Sequence, residues 1–489
     1  VTLPASRRTP GYRFAQSFAG LTNAGTKPKT VYILGEILAA GSMSEGEVSD
    51  IITDPDVAQG LAGARSIAAF MVRQGINQRP GGDVVPIKIV AVAEPAGGTA
   101  ADQTFTFANN ADSDTTVTIR IAGHEIDTII ATGNTPTNSG DALEAAIELY
   151  AENNDLPVSA NNVAGTVTVT CKQKGTIGNQ IATVVETWVG EGTQTLTAGG
   201  ATLTGGLQDP DLTTTTLPNI EAVDTDFLAC SMIDATNLEN VRAHMDTKGG
   251  STNQMGGFFF YASRDATLGN ITTIANTLHG NGAAQRGHCL AYGGSEGFPP
   301  AMAARDAVAH ASVEDTAQPL NGITITGIRA PAVTDRYTVT ELETLLSYGV
   351  TPLRTDSATA TVGKIIRSVV IRTDLLDPLD ITKIATMDEA RDLIRANFIA
   401  NGINQKKLKK AGEPIFTNGC VTAESVMSLA KAVLYKMEEK DQIQGMRSGM
   451  LTDRFKATNA GNGRIELIIP EDVVDGAHDV AGDIVLVLS

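Results

Sequence analysis

GFFFYASRDATLGNITTIANTLHGNGAAQRGHCLAYGGSEGFPPAMAARDAVAHA, residues 257–311, is the stretch on which the fold turns. Its opening aromatic run, Phe258-Phe259-Phe260-Tyr261, predicts a buried strand over 257–261. Apolar residues at helical spacing predict a helix over 268–278. A second short apolar run predicts a strand over 287–292, and an Ala-rich segment predicts a helix over 301–311. Strand, helix, strand, helix in this order implies parallel strands joined by crossover helices, hence an α/β layer.

The same alternation extends outward in both directions. Upstream, VYILG (31–35) reads as a buried strand. Asp54-Pro55 fits an N-cap followed by proline at the first helical position; a helix through 67–72 and a strand over 84–92 come next. Downstream, 227–233 reads as a strand. A helix over 339–348 carries a capping box, Thr338 with Glu341, and stops at Gly349. From about residue 373 a further unit begins. Thr386-Met387-Asp388-Glu389 is expected to be a capping box opening a helix that runs to about 401. A long amphipathic helix over 422–440 follows, then strands over 463–469 and 483–488.

Between 96 and 207 the composition changes to Thr, Gly, Asn and Ala. Alternating strands are predicted over 104–107, 116–121, 125–130, 166–171 and 181–185, with one helix over 141–152. Three Lys or Arg residues stand here against twelve Asp or Glu, a net charge of −9, half of the −18 of the whole chain. Such asymmetry is expected of a separate, solvent-facing module inserted into the α/β layer. Residues 401–489 hold eleven basic and twelve acidic residues. That near-neutral surface is the easier one to bury in an assembly.

A net charge of −18 argues against a free-standing nucleic-acid binder, which needs a basic face. No run of 18 apolar residues occurs, so no membrane span is expected. Residues 1–10 lack an apolar stretch, and no secretory signal is expected there. The four cysteines, Cys171, Cys230, Cys289 and Cys420, are far apart with no CxxC pair, and are expected to be buried free thiols.

Catalytic patterns fare poorly. Gly293-Gly294-Ser295-Glu296-Gly297 matches G-x-S-x-G after a strand, which would make Ser295 the nucleophile of a serine hydrolase. A nucleophile elbow needs a helix starting directly after the serine, and Pro299-Pro300 stand where its first turn would be. A Gly-rich loop is the expectation. The six histidines show no metal-ligand spacing, and Gly363-Lys364 lacks the rest of a phosphate-binding loop. No catalytic, cofactor-binding or metal-binding residue is therefore assigned. The basic run Lys406, Lys407, Lys409, Lys410 is a candidate contact for an acidic neighbour.

Both ends of the chain look built for pairing. Pro4, Pro10, Gly11, Gly20, Gly25 and Pro28 break the first thirty residues, while Tyr12, Phe14 and Phe18 alternate as on a strand. Ile484, Val485, Leu486, Val487 and Leu488 are apolar on both faces. These two segments are expected to link subunits by strand addition.

The order of these pieces resembles the contractile tail sheath family of phages and phage-like injection systems, particularly its Mu-like branch. Leu3-Pro4, then Arg8-Thr9-Pro10-Gly11-Tyr12, is similar to the family's P-x-x-R-x-P-G-x-Y arm, and Val31–Glu36 to its first core strand. Asp155-Leu156-Pro157-Val158-Ser159-Ala160, residues 167–170 and Lys174-Gly175-Thr176-Ile177-Gly178-Asn179 resemble its LPVTA…VTLT…KG-x-x-GN series. Ala317-Gln318-Pro319-Leu320-Asn321 and residues 342–350 resemble its A-R-P-L-N turn and E-x-x-L-L-x-x-G-I helix end. RSVVIRT at 367–373 departs from the usual R-x-I-T-T-Y.

The resemblance implies an α/β core of subtilisin-like topology without a triad, over 31–95 plus 208–372. It further implies an acidic, β-rich α+β insertion facing outward (96–207), a C-terminal α+β domain (373–489) and an N-terminal arm (1–30). The implied function is structural and non-enzymatic. Hexameric rings stack around a tail tube and contract from a metastable extended state, driving the tube through a target envelope. Implied partners are further copies of the chain, the tube protein, and baseplate and terminator proteins, in a virion tail assembled in the host cytoplasm, with no cofactor, direct nucleic-acid contact or membrane insertion. The rival readings are the Ser295 hydrolase and an unrelated capsid or surface-layer protein.

Overall fold

A computed structural model describes residues 29–79, 85–189, 193–250, 253–280, 286–357, 359–371, 379–415, 417–461 and 463–475. Tyr12, Phe14, Phe18 and residues 484–488 lie outside the described residues.

The centre is an eight-stranded sheet. Its strands are β1 (Val31–Glu36), β2 (Ile87–Val92), β3 (Phe227–Cys230), β4 (Phe258–Ser263), β5 (Gly287–Ala291), β6 (Thr324–Ile325), β7 (Thr351–Arg354) and β8 (Gly363–Ile365). Their order is β6-β8-β7-β5-β4-β3-β1-β2. The pairs from β2 through β7 are parallel, whereas β8 runs antiparallel to both β7 and β6.

The inner strands are apolar on both faces because helices cover both. In chain order the α-helices of eight residues or more are α1 (Pro55–Ala62), α2 (Ile67–Gln78), α3 (Pro136–Asn154), α4 (Ala235–Gly249), α5 (Leu268–Gly280), α6 (Pro299–Ala311), α7 (Val339–Ser347), α8 (Ile381–Ala400) and α9 (Ala423–Glu438). On one face Ile33, Ile89, Ala229 and Phe260 pack with α2 and α6. On the other, Leu34, Val90, Leu228 and Phe259 pack with Leu238 and Val241 of α4, Ile271 of α5 and Leu345 of α7. Burying one such side chain fully contributes about 1.5–3 kcal/mol. Gly75 allows the close approach of α2 and α6, since a Cβ there would lie 3.2 Å from Val308 Cγ2.

Local signals explain most element ends. Asp54 caps α1 with Pro55 at its start, and Ser66 opens α2 by accepting from the Ala69 N–H. Thr338 and Glu341 form the expected capping box of α7. Thr422 caps α9 through a box closed by Ser425. Two expectations need correction. Pro299 and Pro300 do not delay α6; they form its first turn, where their missing N–H groups would have had no partner. Thr386 does not open a helix. It is buried inside α8, which starts after Asp380, and both Thr386 and Glu389 face Thr316, whose hydroxyl bonds both. Helix α4 carries no clean apolar period, because buried Arg242, His244 and Lys248 interrupt its Leu238, Val241, Met245 stripe.

Residues 96–207 form two antiparallel sheets. One orders the strands Val158–Val163, Thr166–Lys174, Ala100–Ala108 and Thr195–Ala198; the other orders His124–Ile130, Thr115–Ile121 and Thr183–Val189. Phe105, Val117, Ile119, Leu143 and Ile147 of this unit belong to the same continuous apolar cluster as α2 and α6. Toward the C-terminus, α8 bridges two cores. Ile381 and Ile384 pack on the central layer, while Ile394 and Phe398 pack with α9 and with the hairpin Lys456–Gly461/Arg464–Ile468.

Candidate functional site

The G-x-S-x-G loop lies between β5 and α6. Gly294 has φ +72°, which suits glycine, and α6 begins only four residues beyond Ser295. Ser295 is fully buried. Its hydroxyl donates to the Arg329 carbonyl at 2.7 Å and accepts from the Gly297 N–H at 3.0 Å. With that proton spent on a carbonyl and no histidine among the described residues bonded to it, the hydroxyl ties two loops together. The cavity beside the loop, lined by Tyr292, Arg336 and Tyr337, measures about 70 Å³. Sites for small organic ligands are several-fold larger.

What the loop does is visible one residue on. Glu296 accepts from Arg120 of the insertion in a two-pronged pair, at 2.6 Å through Nη2 and 2.5 Å through Nε. Arg120 also contacts Glu186, and Arg329 pairs with Glu186 at 2.9 Å and with Glu125. Five charges thus alternate across the junction of insertion and core, and the carboxylates around it raise the Arg120 guanidinium pKa despite partial burial. Arg65–Glu148, just before α2, and Arg73–Asp155, on it, both at 2.6 Å, repeat the pattern. Phe70 meets the His124 ring at 6.0 Å between centroids, and burial pushes that imidazole down to about 4. The insertion, expected from its charge to face solvent, turns several of its carboxylates inward onto core arginines.

A second constellation was not anticipated. His288 on β5 and Asp306 and His310, one turn apart on α6, converge in the core beneath Phe260. His288 and Asp306 are wholly inaccessible and His310 nearly so. His288 Nε2 stands 2.9 Å from Asp306 Oδ2, and His310 Nδ1 stands 3.2 Å from Asp306 Oδ1. The flanking imidazoles hold the Asp306 carboxyl well below the usual carboxylate range, against the opposing effect of burial. Each ring also has an outward partner: His288 Nδ1 donates to the Val369 carbonyl at 2.8 Å, and His310 Nε2 lies 2.6 Å from the Ser368 hydroxyl. The i, i+4 spacing of Asp306 and His310 was the available signal. His288 joins them only because β5 and α6 pack face to face.

The other singled-out residues are scattered. Lys407 begins a two-residue strand bridged to Cys420–Val421, Lys409 donates to the Pro414 carbonyl at 2.6 Å, and Lys407 and Lys410 are exposed. Cys171, Cys230 and Cys289 are buried free thiols and Cys420 is half-buried. Desolvation pushes Cys171 and Cys289 up to about 12. Among the described residues no helix is long and apolar enough to cross a membrane.

No protein-family model matches the chain. It is similar to the Mu-like prophage FluMu tail sheath protein of Haemophilus influenzae, with 25% identity over 354 residues, covering 71% of this chain and 69% of that protein. The solved structure of a sheath tail protein from Desulfitobacterium hafniense aligns over 91% of this chain and 90% of its own, with 12% identity and a TM-score of 0.42. One from Listeria innocua aligns over 94% of each chain, with 13% identity and a TM-score of 0.45.

Proposed function

We propose that this relative of a Mu-like tail sheath protein is itself a structural subunit of a contractile tail sheath. The observation that carries the reading is the sequence similarity, which spans 71% of the chain. The state of Ser295 supports it, since a buried hydroxyl bonded to a backbone carbonyl is a packing element. In this reading the subunits stack as hexameric rings around a tail tube, with baseplate and terminator proteins at the two ends of a virion tail. The extended lattice is metastable, and re-packing of subunit contacts drives the tube forward without a cofactor. The acidic insertion faces outward and the near-neutral C-terminal unit lies in the lattice.

The terminal segments act as the links. The hairpin Lys456–Gly461/Arg464–Ile468 has two strands among the described residues, and Ile468 on it is 58% exposed. A short two-stranded hairpin gains stability when further strands extend it. Tyr12, Phe14, Phe18 and residues 484–488 are the strands this chain offers to its neighbours.

Sedimentation velocity on the purified chain, with a serine-directed fluorophosphonate probe in parallel, tests the reading. Large polymers and no labelling at Ser295 are expected. A monodisperse monomer that takes up the probe at Ser295 would place the chain among hydrolases.

A further inference from the structure

We propose that His288, Asp306 and His310 form a buried binding site for a divalent transition-metal ion, zinc by ligand type. The donor set is two imidazoles and one carboxylate, whose ligand atoms lie within 4.8 Å of one another. That combination suits zinc over magnesium or calcium, which take oxygen ligands. Both carboxylate oxygens of Asp306 and Nε2 of His288 are buried without a hydrogen-bond partner. Their separations are short, but the atoms are not aimed along one another's hydrogen-bond directions. Three unsatisfied acceptors clustered in a dry core are costly.

A proton does not satisfy all three. His310 Nδ1 donates to the Asp306 carbonyl at 2.9 Å, one turn back along α6. One proton added at His288 Nε2 would serve a single carboxylate oxygen and leave the other only His310 Nδ1, 3.2 Å away and already bonded to the Asp306 carbonyl. A cation bound to His288 Nε2 and to both Asp306 oxygens leaves none. His310 completes the set by moving its ring proton from Nδ1 to Nε2, where the Ser368 hydroxyl at 2.6 Å accepts it. No net proton is released in that shift. At zinc–ligand distances of about 2.0–2.2 Å, donors 2.9 and 3.2 Å apart subtend angles of roughly 90–100°, while the widest spacing of the set, 4.8 Å, has to close by a few tenths of an ångström for all three residues to reach one ion.

The surroundings fit as well. Metal-bound imidazoles hold their other nitrogen against a carbonyl or hydroxyl. Val369 and Ser368 occupy those places on the segment that follows β8. A metal here would be captured as the chain folds and would pin β5, α6 and that segment together.

The test uses the full chain, purified without a metal-affinity tag or chelator. Elemental analysis after dialysis should find close to one zinc per chain. Chain refolded with cobalt(II) should show the visible absorption of a tetrahedral site. Asp306→Asn should lose the metal, and Ser368→Ala should weaken its retention against a competing chelator by about tenfold. If Asp306→Asn does not fold, the wild-type metal content and cobalt spectrum decide. Zinc far below stoichiometry, together with a melting temperature unmoved by zinc or EDTA during refolding, would overturn the site and leave a proton-sharing triad in its place.

Discussion

The Ser295 hydroxyl makes two hydrogen bonds and meets no base among the described residues, so its removal should act on packing alone. Ser295→Ala is expected to destabilise the fold by about 1–2 kcal/mol, read from urea melts, and to leave polymer formation unchanged. Loss of any turnover with that hydroxyl would contradict the structural reading. Glu36 makes a stronger prediction. It is buried at the end of β1, and desolvation, reinforced by Glu94, Asp209 and Asp234, pushes its carboxyl from 4.5 up to about 8. The folded state therefore keeps a proton that the unfolded state gives up above about pH 4.5. The sign follows: stability should fall as pH rises from about 4.5 to 8, because folded chains bind more protons there. Glu36→Gln should flatten this dependence and raise stability at pH 8 by on the order of 3 kcal/mol, checked by denaturant melts at pH 5 and pH 8. An unchanged pH profile in the variant would refute the assignment.

At the scale of elements, the junction between insertion and core rests on Arg120. It is 8% exposed and holds Glu296 on one side and Glu186 on the other. Arg120→Ala leaves two partly buried carboxylates facing each other, which should cost about 3 kcal/mol. Hydrogen exchange should then rise along Thr115–Ile121 and the 293–297 loop first; uniform protection would show that the apolar contacts suffice. This junction also marks how far the sequence could be read. Strands such as Phe258–Ser263 and helices such as α7 were legible because period and caps agree locally. The start of α8 was not, since T-x-x-E is equally an i, i+3 pair on one helix face, which is what buried Thr386 and half-buried Glu389 turn out to be. The charge of the insertion was legible, but the core arginines it meets lie far away in sequence, as Arg65–Glu148 shows. The His288, Asp306, His310 group escaped for the same reason: one ligand lies on a strand and two on the helix packed over it.

For the whole molecule, a continuous apolar cluster joins the insertion to the layer of α2 and α6. Replacing 96–207 with a short linker would therefore expose α2 around Phe70, and outward placement is better tested by labelling the insertion surface in assembled material. The links between subunits are tested by ending the chain after Gly482. The shortened chain should keep a near-normal melting temperature and fail to polymerise, because residues 484–488 are offered to a neighbour in this account. Normal polymers, or outright unfolding of the monomer, would refute the linking role.

The central claim is that the chain is a sheath subunit, and electron microscopy of the purified 489-residue chain tests it most directly. The account predicts hollow tubes of uniform diameter built from stacked rings with sixfold symmetry. Dispersed monomers, closed shells or flat lattices under conditions that keep the chain folded would contradict it.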